Sequence, residues 1–262
     1  MNIVFMGTPE FSLPTLHKLY KSDHNIQLVV TQPDRPKGRG RESTPPPVKE
    51  FALEKKIPIL QPKKCTSLEV VKTLGELNSD VFIVVAFGQI LDKNLLTLPR
   101  HFCINLHSSL LPKYRGAAPI NWAIINGETK TGVTTMKMDT GLDTGDILLS
   151  SKVSISDADD AQSLHETLAH KGSSLVLETL RQLDSGLLEP ICQNSDLASY
   201  APKLKKEDGL IQWNQPAIKI HNLVRGLTPW PGAFSFLESK RFKVCKTEIK
   251  SCGSIDQPGV IV

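Results

Sequence analysis

Short unbroken apolar runs alternate with amphipathic stretches along this chain, and that alternation restricts its fold more than any other feature. Residues 2–6, Asn2-Ile3-Val4-Phe5-Met6, give one such run. A strand that does not alternate polar with apolar is one covered on both faces, as in a parallel sheet. Gly7-Thr8-Pro9 turns the chain, and Glu10 to Tyr20 then carries Leu13, Leu16, Leu19 and Tyr20 on one helical face. The pattern repeats: strands are predicted at 26–30, 81–86 and 103–106, and helices at 50–56 and 70–77. Strands alternating with helices predict an α/β fold with a doubly wound, mostly parallel sheet. Such sheets take their ligands outside the carboxyl ends of the strands.

Farther along, a helix is predicted at 117–126, strands at 131–138 and 147–155, and a long amphipathic helix at 160–183 that Gly186 stops. Residues 188–206 carry Pro190, Pro202 and the cluster Lys203, Lys205 and Lys206, and read as a linker. From 207 the elements shorten: a helix at 218–224, then strands at 233–238, 241–248 and 259–262. The expected organisation is a catalytic domain at 1–187, a linker at 188–206 and a β-rich domain at 207–262. The last strand falls at the end of the chain, so this second domain reads as truncated.

A chain of 262 residues with 40% hydrophobic content can build a sizeable core. Its net charge of +4 is too small to identify a nucleic-acid partner, so the placement of basic residues matters more than their sum. Five scattered cysteines without a C-x-x-C pair argue against a disulfide framework and against a zinc site. Reduced thiols in the cytoplasm are the expectation. Residues 1–6 lack a basic leader and read as a first strand, not a signal peptide. No apolar stretch reaches bilayer-spanning length. Neither G-x-G-x-x-G after the first strand nor a P-loop is present, which weakens any nucleotide-binding reading.

Asn105 and His107 follow the apolar run at 103–106. Residues i and i+2 of a strand point to one side, so both side chains enter one space. Asp143 lies in the turn Met138-Asp139-Thr140-Gly141-Leu142-Asp143-Thr144-Gly145-Asp146, where glycines allow a close backbone approach. Singly, such a His is more often structural, and an Asp beside glycine is more often a turn residue. Together they supply an oxyanion donor, a proton carrier and a group that orients it, which is a set suited to acyl transfer.

The segments N-x-H-x-S-L-L-P-x-Y-R-G-x-x-P at 105–119 and M-D-x-G-L-D-T-G-D at 138–146 resemble the 10-formyltetrahydrofolate-dependent formyltransferases. The resemblance runs the length of the chain. It implies a Rossmann-like formyltransferase domain and a C-terminal OB-type β-barrel, here partial, with 10-formyltetrahydrofolate as co-substrate. It implies that Asn105 stabilises the oxyanion. His107 is then a second donor or the proton carrier, and Asp143 holds the imidazolium or accepts the amine proton through water. Ser109, Leu110, Leu111 and Pro112 match the family's folate-binding segment, and Phe87 and Gly88 are expected in the same pocket, with Met136 and Met138 as further candidates. No metal is required.

Met6-Gly7-Thr8-Pro9-Glu10-Phe11 and the loop at 31–40 resemble the members that formylate the α-amine of methionyl initiator tRNA. The resemblance implies tRNA contacts from Arg35, Lys37, Arg39 and Arg41, with Arg39 the principal one. It also implies a cytoplasmic monomer that binds neither DNA nor membrane. The loop is so rich in glycine that regular structure is not expected in it. Two other readings stand beside this one. A member of the same superfamily acting on an amino sugar, a purine precursor or formyl-folate would not need the Arg39 loop. A non-enzymatic RNA-binding protein would not need Asn105, His107 and Asp143.

Overall fold

Seven strands form the central sheet: β1 (Asn2–Gly7), β2 (Asn25–Val30), β3 (Ile59–Leu60), β4 (Val81–Val85), β5 (Cys103–His107), β6 (Lys130–Lys137) and β7 (Ile147–Ser154). Their order across the sheet is β7-β6-β5-β4-β1-β2-β3. The pairs β1–β2, β2–β3, β1–β4 and β4–β5 are parallel, whereas β5–β6 and β6–β7 are antiparallel. The computed structural model describes residues 1–37 and 42–250, apart from the side chains of Lys37 and Glu42. The strand expected at 259–262 lies outside the described residues.

The parallel half has the two-faced burial that its apolar runs predict. Ile3, Phe5, Val81, Ile83, Val85, Ile104 and Leu106 face one hydrophobic layer. Val4, Met6, Leu28, Val30, Phe82, Val84 and Cys103 face the other. The first layer is covered by α1 (Leu13–Tyr20), α2 (Pro47–Glu54) and the long α5 (Ala161–Asp184). The second is covered by α3 (Leu68–Glu76) and the helical turn Lys93–Leu96. Asp160 caps α5, accepting from the N–H groups of Gln162 and Ser163 at 3.0 and 2.9 Å, which satisfies donors that a helix start leaves open.

Three local expectations change. The segment after β2 holds a short antiparallel hairpin, Arg35–Lys37 against Glu42–Thr44, although its glycine content argued against regular structure. Cross-strand backbone bonding in the flanks does not depend on the residues between them. The two-residue β3 was not legible, because it is shorter than any periodicity. The strand expected to reach Glu248 ends at Val244.

The C-terminal part contributes α6 (Ala217–Gly226), which packs on α4 (Pro119–Ile125), with the Asn121 amide donating to the Gly226 carbonyl at 2.8 Å. Beyond it β8 (Ala233–Leu237) and β9 (Lys240–Val244) pair antiparallel over a small cluster of Ile211, Val224 and Ala233. Among the described residues this hairpin is the extent of the C-terminal sheet, and no closed barrel is formed. No described helix is long and apolar enough to cross a membrane.

Leu106 is 3% exposed and points into the layer under α5. Leu106→Ala should cost about 2–5 kcal/mol, the lost transfer energy plus a residual cavity. Urea denaturation with an unchanged m-value is the check; a loss below about 0.5 kcal/mol would mean the layer collapses around the gap.

Candidate active site

Strand β5 ends at the switch between the parallel and antiparallel halves of the sheet. Val84 of β4 pairs with Asn105 on one edge, and Met136 of β6 pairs with Asn105 on the other. Asn105 and His107 both line a cavity of about 600 Å³, together with Phe87, Gly88, Met136, Met138 and Asp143. The i, i+2 spacing thus does bring the amide and the imidazole into one space. Asn105 makes no side-chain hydrogen bond to another described residue, so its amide is available to a ligand.

His107 is 6% exposed, and its Nε2 lies 2.9 Å from the Tyr114 carbonyl oxygen. A carbonyl only accepts, so Nε2 carries a proton and donates it there. Tyr114 adopts a left-handed backbone, with φ 61°. Its side chain is buried, and its hydroxyl donates to Glu128 at 2.9 Å. Burial comes first among the causes that push the Tyr114 phenol above its ordinary range.

Nδ1 of His107 faces Asp143 Oδ2 at 3.7 Å. In the neutral ring that nitrogen bears a lone pair and opposes an acceptor. In the imidazolium it bears a proton and faces an anion. The two forms therefore differ at Nδ1 alone. The same Oδ2 accepts the Gly116 N–H at 2.7 Å, which fixes the carboxylate on the cavity wall.

The Asp143 turn is pressed tightly onto its surroundings. Asp143 itself has φ 53°. A Cβ at Gly145 would overlap the Lys137 carbonyl oxygen of β6, so only glycine allows this approach. Gly116 is equally constrained: its φ is +112°, and a Cβ there would fall on the Ala201 carbonyl oxygen. Arg115–Gly116 pairs in parallel with Tyr200–Ala201, so residues assigned to a linker form part of the wall around the site. Gln193, also in that stretch, is 8% exposed and bonds to Arg115 and to the Asp143 turn. No sequence signal marked Gln193. Arg115 lies within the motif at 105–119, which by itself gives it no role.

Ser109, Leu110, Leu111 and Pro112 are not among the walls of this cavity. Ser109 is fully buried and its hydroxyl donates to the Lys113 carbonyl at 2.6 Å, while Leu111 N–H donates to Thr134 Oγ1 at 3.2 Å. They build the turn behind His107. Phe87 and Gly88 do line the cavity, as expected of the end of β4.

Arg39 and Arg41 lie outside the described residues, as does the Lys37 side chain. Arg35 is exposed, and its Nη2 donates to Gln32 Oε1 at 2.9 Å. Gln32 Nε2 in turn donates to the Phe87 carbonyl at 3.2 Å. Arg35 also lines a second cavity, of about 450 Å³, which shares Pro9, Ala86, Phe87 and Gly88 with the first. No group of three or more His, Cys, Asp or Glu placed to hold a metal ion occurs among the described residues.

The sequence models of the formyl transferase family match the chain twice: the formyl transferase model at residues 1–180, and that of the formyl transferase C-terminal domain at 203–262. A methionyl-tRNA formyltransferase of Geobacter metallireducens is 54% identical over all of this chain and 86% of its own length. The chain belongs to the methionyl-tRNA formyltransferase family. Another member, from Caldanaerobacter subterraneus subsp. tengcongensis, is 50% identical over all of this chain and 85% of its own length. Among solved structures, an N-formyltransferase from Helicobacter canadensis, in complex with folinic acid and dTDP-3-aminofucose, superposes with a TM-score of 0.71. It is 21% identical and covers 93% of this chain and 86% of its own. At that identity the likeness establishes the formyltransferase fold.

Gly116→Ala tests the backbone that holds the Asp143 carboxylate. The added methyl must displace either the Ala201 strand or the Gly116 N–H. We expect a lower melting temperature, faster hydrogen exchange at residue 116 and a lower formylation rate in the protein that stays folded. Unchanged exchange and rate would show that the wall yields without moving the amide.

Proposed function

We infer that this enzyme transfers a formyl group from 10-formyltetrahydrofolate to the α-amine of methionyl initiator tRNA, giving the N-formylmethionyl-tRNA used to start translation. The observation that carries this reading is 54% identity over all of this chain and 86% of a methionyl-tRNA formyltransferase, in a chain whose Asn105, His107 and Asp143 share one cavity. We assign these three residues to catalysis.

The amine lone pair attacks the formyl carbon, and a C–N bond forms as the carbonyl oxygen becomes an oxyanion. The Asn105 amide donates to that oxygen and carries no titratable charge. Collapse of the intermediate breaks the bond between the formyl carbon and the folate nitrogen, which must gain a proton. The attacking amine must lose one. With Nε2–H engaged by the Tyr114 carbonyl, His107 has one atom left for this traffic, Nδ1, and Asp143 balances the charge that appears there. Chemistry of this kind needs no metal.

We place the folate in the 600 Å³ cavity, against Phe87, Gly88, Met136 and Met138, whose apolar surfaces suit a flat heterocycle. Residues 109–112 act from behind, by holding the turn after β5. The tRNA end is assigned to the basic segment of Arg35, Lys37, Arg39 and Arg41. The base of that segment adjoins the folate cavity through the Arg35–Gln32–Phe87 chain of hydrogen bonds, so an acceptor end held there lies near the reacting carbon.

Residues 1–187 form the catalytic unit in this reading, 188–206 the connection and 207–262 an OB-type unit of which β8 and β9 are a part. Its exposed Lys240, Arg241 and Lys243 add positive surface for phosphates. A cytoplasmic monomer fits the chemistry. The amino-sugar alternative rests on fold likeness at 21% identity, and the tRNA reading on 54% identity over all of this chain.

Asp143→Asn keeps the shape of the side chain and removes its charge. It should lower the formylation rate by about 10²–10⁴-fold, as should His107→Ala, with the melting temperature held as a control for folding. Asn105→Ala should act through the oxyanion and cost about 10²–10³-fold. Near-normal turnover in any of the three would remove that residue from the mechanism.

Arg39→Ala separates tRNA formylation from folate binding. Formylation of initiator methionyl-tRNA should fall while a folate analogue still raises the melting temperature by mass action. Measured at two salt concentrations, Arg35→Ala should chiefly flatten the salt dependence of tRNA affinity. An Arg39→Ala enzyme as active and as selective for initiator tRNA as the parent would favour a small amine as the acceptor.

A further inference from the structure

We propose that Gln193 is a positioning residue for formyl transfer: its carboxamide clamps the Asp143 turn to the buried Arg115 guanidinium. The inference rests on the assignment of Asp143 to catalysis.

All of the carboxamide is engaged. Oε1 accepts from Arg115 Nε at 3.1 Å and from Nη2 at 2.8 Å. Nε2 donates to the Asp143 carbonyl at 2.9 Å and to the Gly145 carbonyl at 2.7 Å. An amide has one acceptor end and one donor end, and here the first meets two N–H groups and the second two carbonyls. A carboxylate cannot fill this role, because it has no donor for the two carbonyls. An ammonium cannot, because it has no acceptor for the guanidinium.

The clamp matters because Asp143 does not rest in an easy backbone conformation. Its φ of 53° lies in the left-handed region, which a non-glycine residue keeps only when its surroundings enforce it. Gly116 N–H holds the carboxylate end, and Gln193 holds the backbone end. Arg115, adjacent to the half-buried Gly116, is 3% exposed, so both anchors return to one dipeptide. No carboxylate pairs with that guanidinium among the described residues; it donates to Gln193. Releasing the backbone of Asp143 frees its carboxylate to swing away from His107 Nδ1, now 3.7 Å distant. Gln193 also sits well outside the motifs around 105–119 and 138–146, in a stretch otherwise read as a connection.

Gln193→Glu is the decisive variant. It keeps size and the acceptor for Arg115, and so leaves the buried guanidinium paired. It replaces the two donors with an oxygen that repels the carbonyls of Asp143 and Gly145. Displacement of a reacting group by about 1 Å can cost about 10²-fold in rate. We therefore expect kcat for methionyl-tRNA formylation to fall by about that factor, with KM for 10-formyltetrahydrofolate and the melting temperature little changed. Gln193→Met, similar in size and without either end, should also lose rate.

Single-turnover rates of Asp143→Asn, Gln193→Glu and the double variant then apportion the effect. If Gln193 works through Asp143, the second change adds little once the carboxylate is gone. Multiplicative losses, or a loss accompanied by a large fall in melting temperature, would make Gln193 a general structural residue and overturn the proposal. So would full activity in Gln193→Glu while Asp143→Asn is impaired. Full activity in Asp143→Asn itself would instead overturn the catalytic assignment on which the proposal rests.

Discussion

Hydrogen bonding along both edges of one strand holds the candidate site together. Cys103–His107 pairs in parallel with Val81–Val85 and antiparallel with Lys130–Lys137. A strand bonded on both sides cannot slide, since a slip of one residue would exchange Asn105 and His107 for Ile104 and Leu106 on the cavity side. The pairing with Lys130–Lys137 does more than fix register. Its antiparallel sense sets Met136 opposite Asn105 and carries the chain past Cys103, whose carbonyl accepts the Met138 N–H at 2.9 Å, directly into the turn that carries Asp143. Both parts of the candidate site descend from one pairing.

That turn needs a second restraint, because a loop leaving an edge of the ladder has no sheet bonds of its own. The restraint comes from sequence far away in both directions. Gly145 lets the turn lie against the Lys137 carbonyl, Gly116 donates to the Asp143 carboxylate, and Gln193 binds the Asp143 and Gly145 carbonyls. Residues 191–201 therefore help to wall the candidate site: Ile191 bridges to Ile147 and Tyr200–Ala201 lies beside Arg115–Gly116. A stretch that is poor in regular structure can still be well fixed when its polar groups are all engaged.

What could be read from the sequence follows from how local each signal was. Ile3, Val4, Phe5 and Met6 announce a strand buried on both faces, because both layers need apolar residues at consecutive positions. Asn105 and His107 share a side by the period of a strand, and that holds wherever the strand lies. Ser109 to Pro112 resemble a folate-binding segment and build the turn behind His107, while Phe87, Gly88, Met136 and Met138 line the cavity. A turn that supports a site is as specific in sequence as a turn that touches the ligand. Gln193 was illegible because its partners are 78 and 50 residues away, and one glutamine in a polar stretch carries no period. The flanks of the basic loop were misjudged for a different reason. Glycine at the tip says little about Arg35–Lys37 and Glu42–Thr44, whose pairing rests on backbone groups.

The orientation of His107 shows how a main-chain group can decide a proton's route. An imidazole in water exchanges freely between two neutral tautomers. Here the Tyr114 carbonyl, turned toward the ring by a left-handed residue, accepts only from Nε2–H. That leaves a single basic nitrogen, and it faces Asp143. A neutral ring then turns its Nδ1 lone pair toward the Asp143 carboxylate across 3.7 Å. In the proposed transfer, the attacking amine gives up a proton that this nitrogen can accept, and the departing folate nitrogen takes one up. Tyr114 thus does at the backbone what a second carboxylate would otherwise do: it fixes one nitrogen and leaves the other facing Asp143.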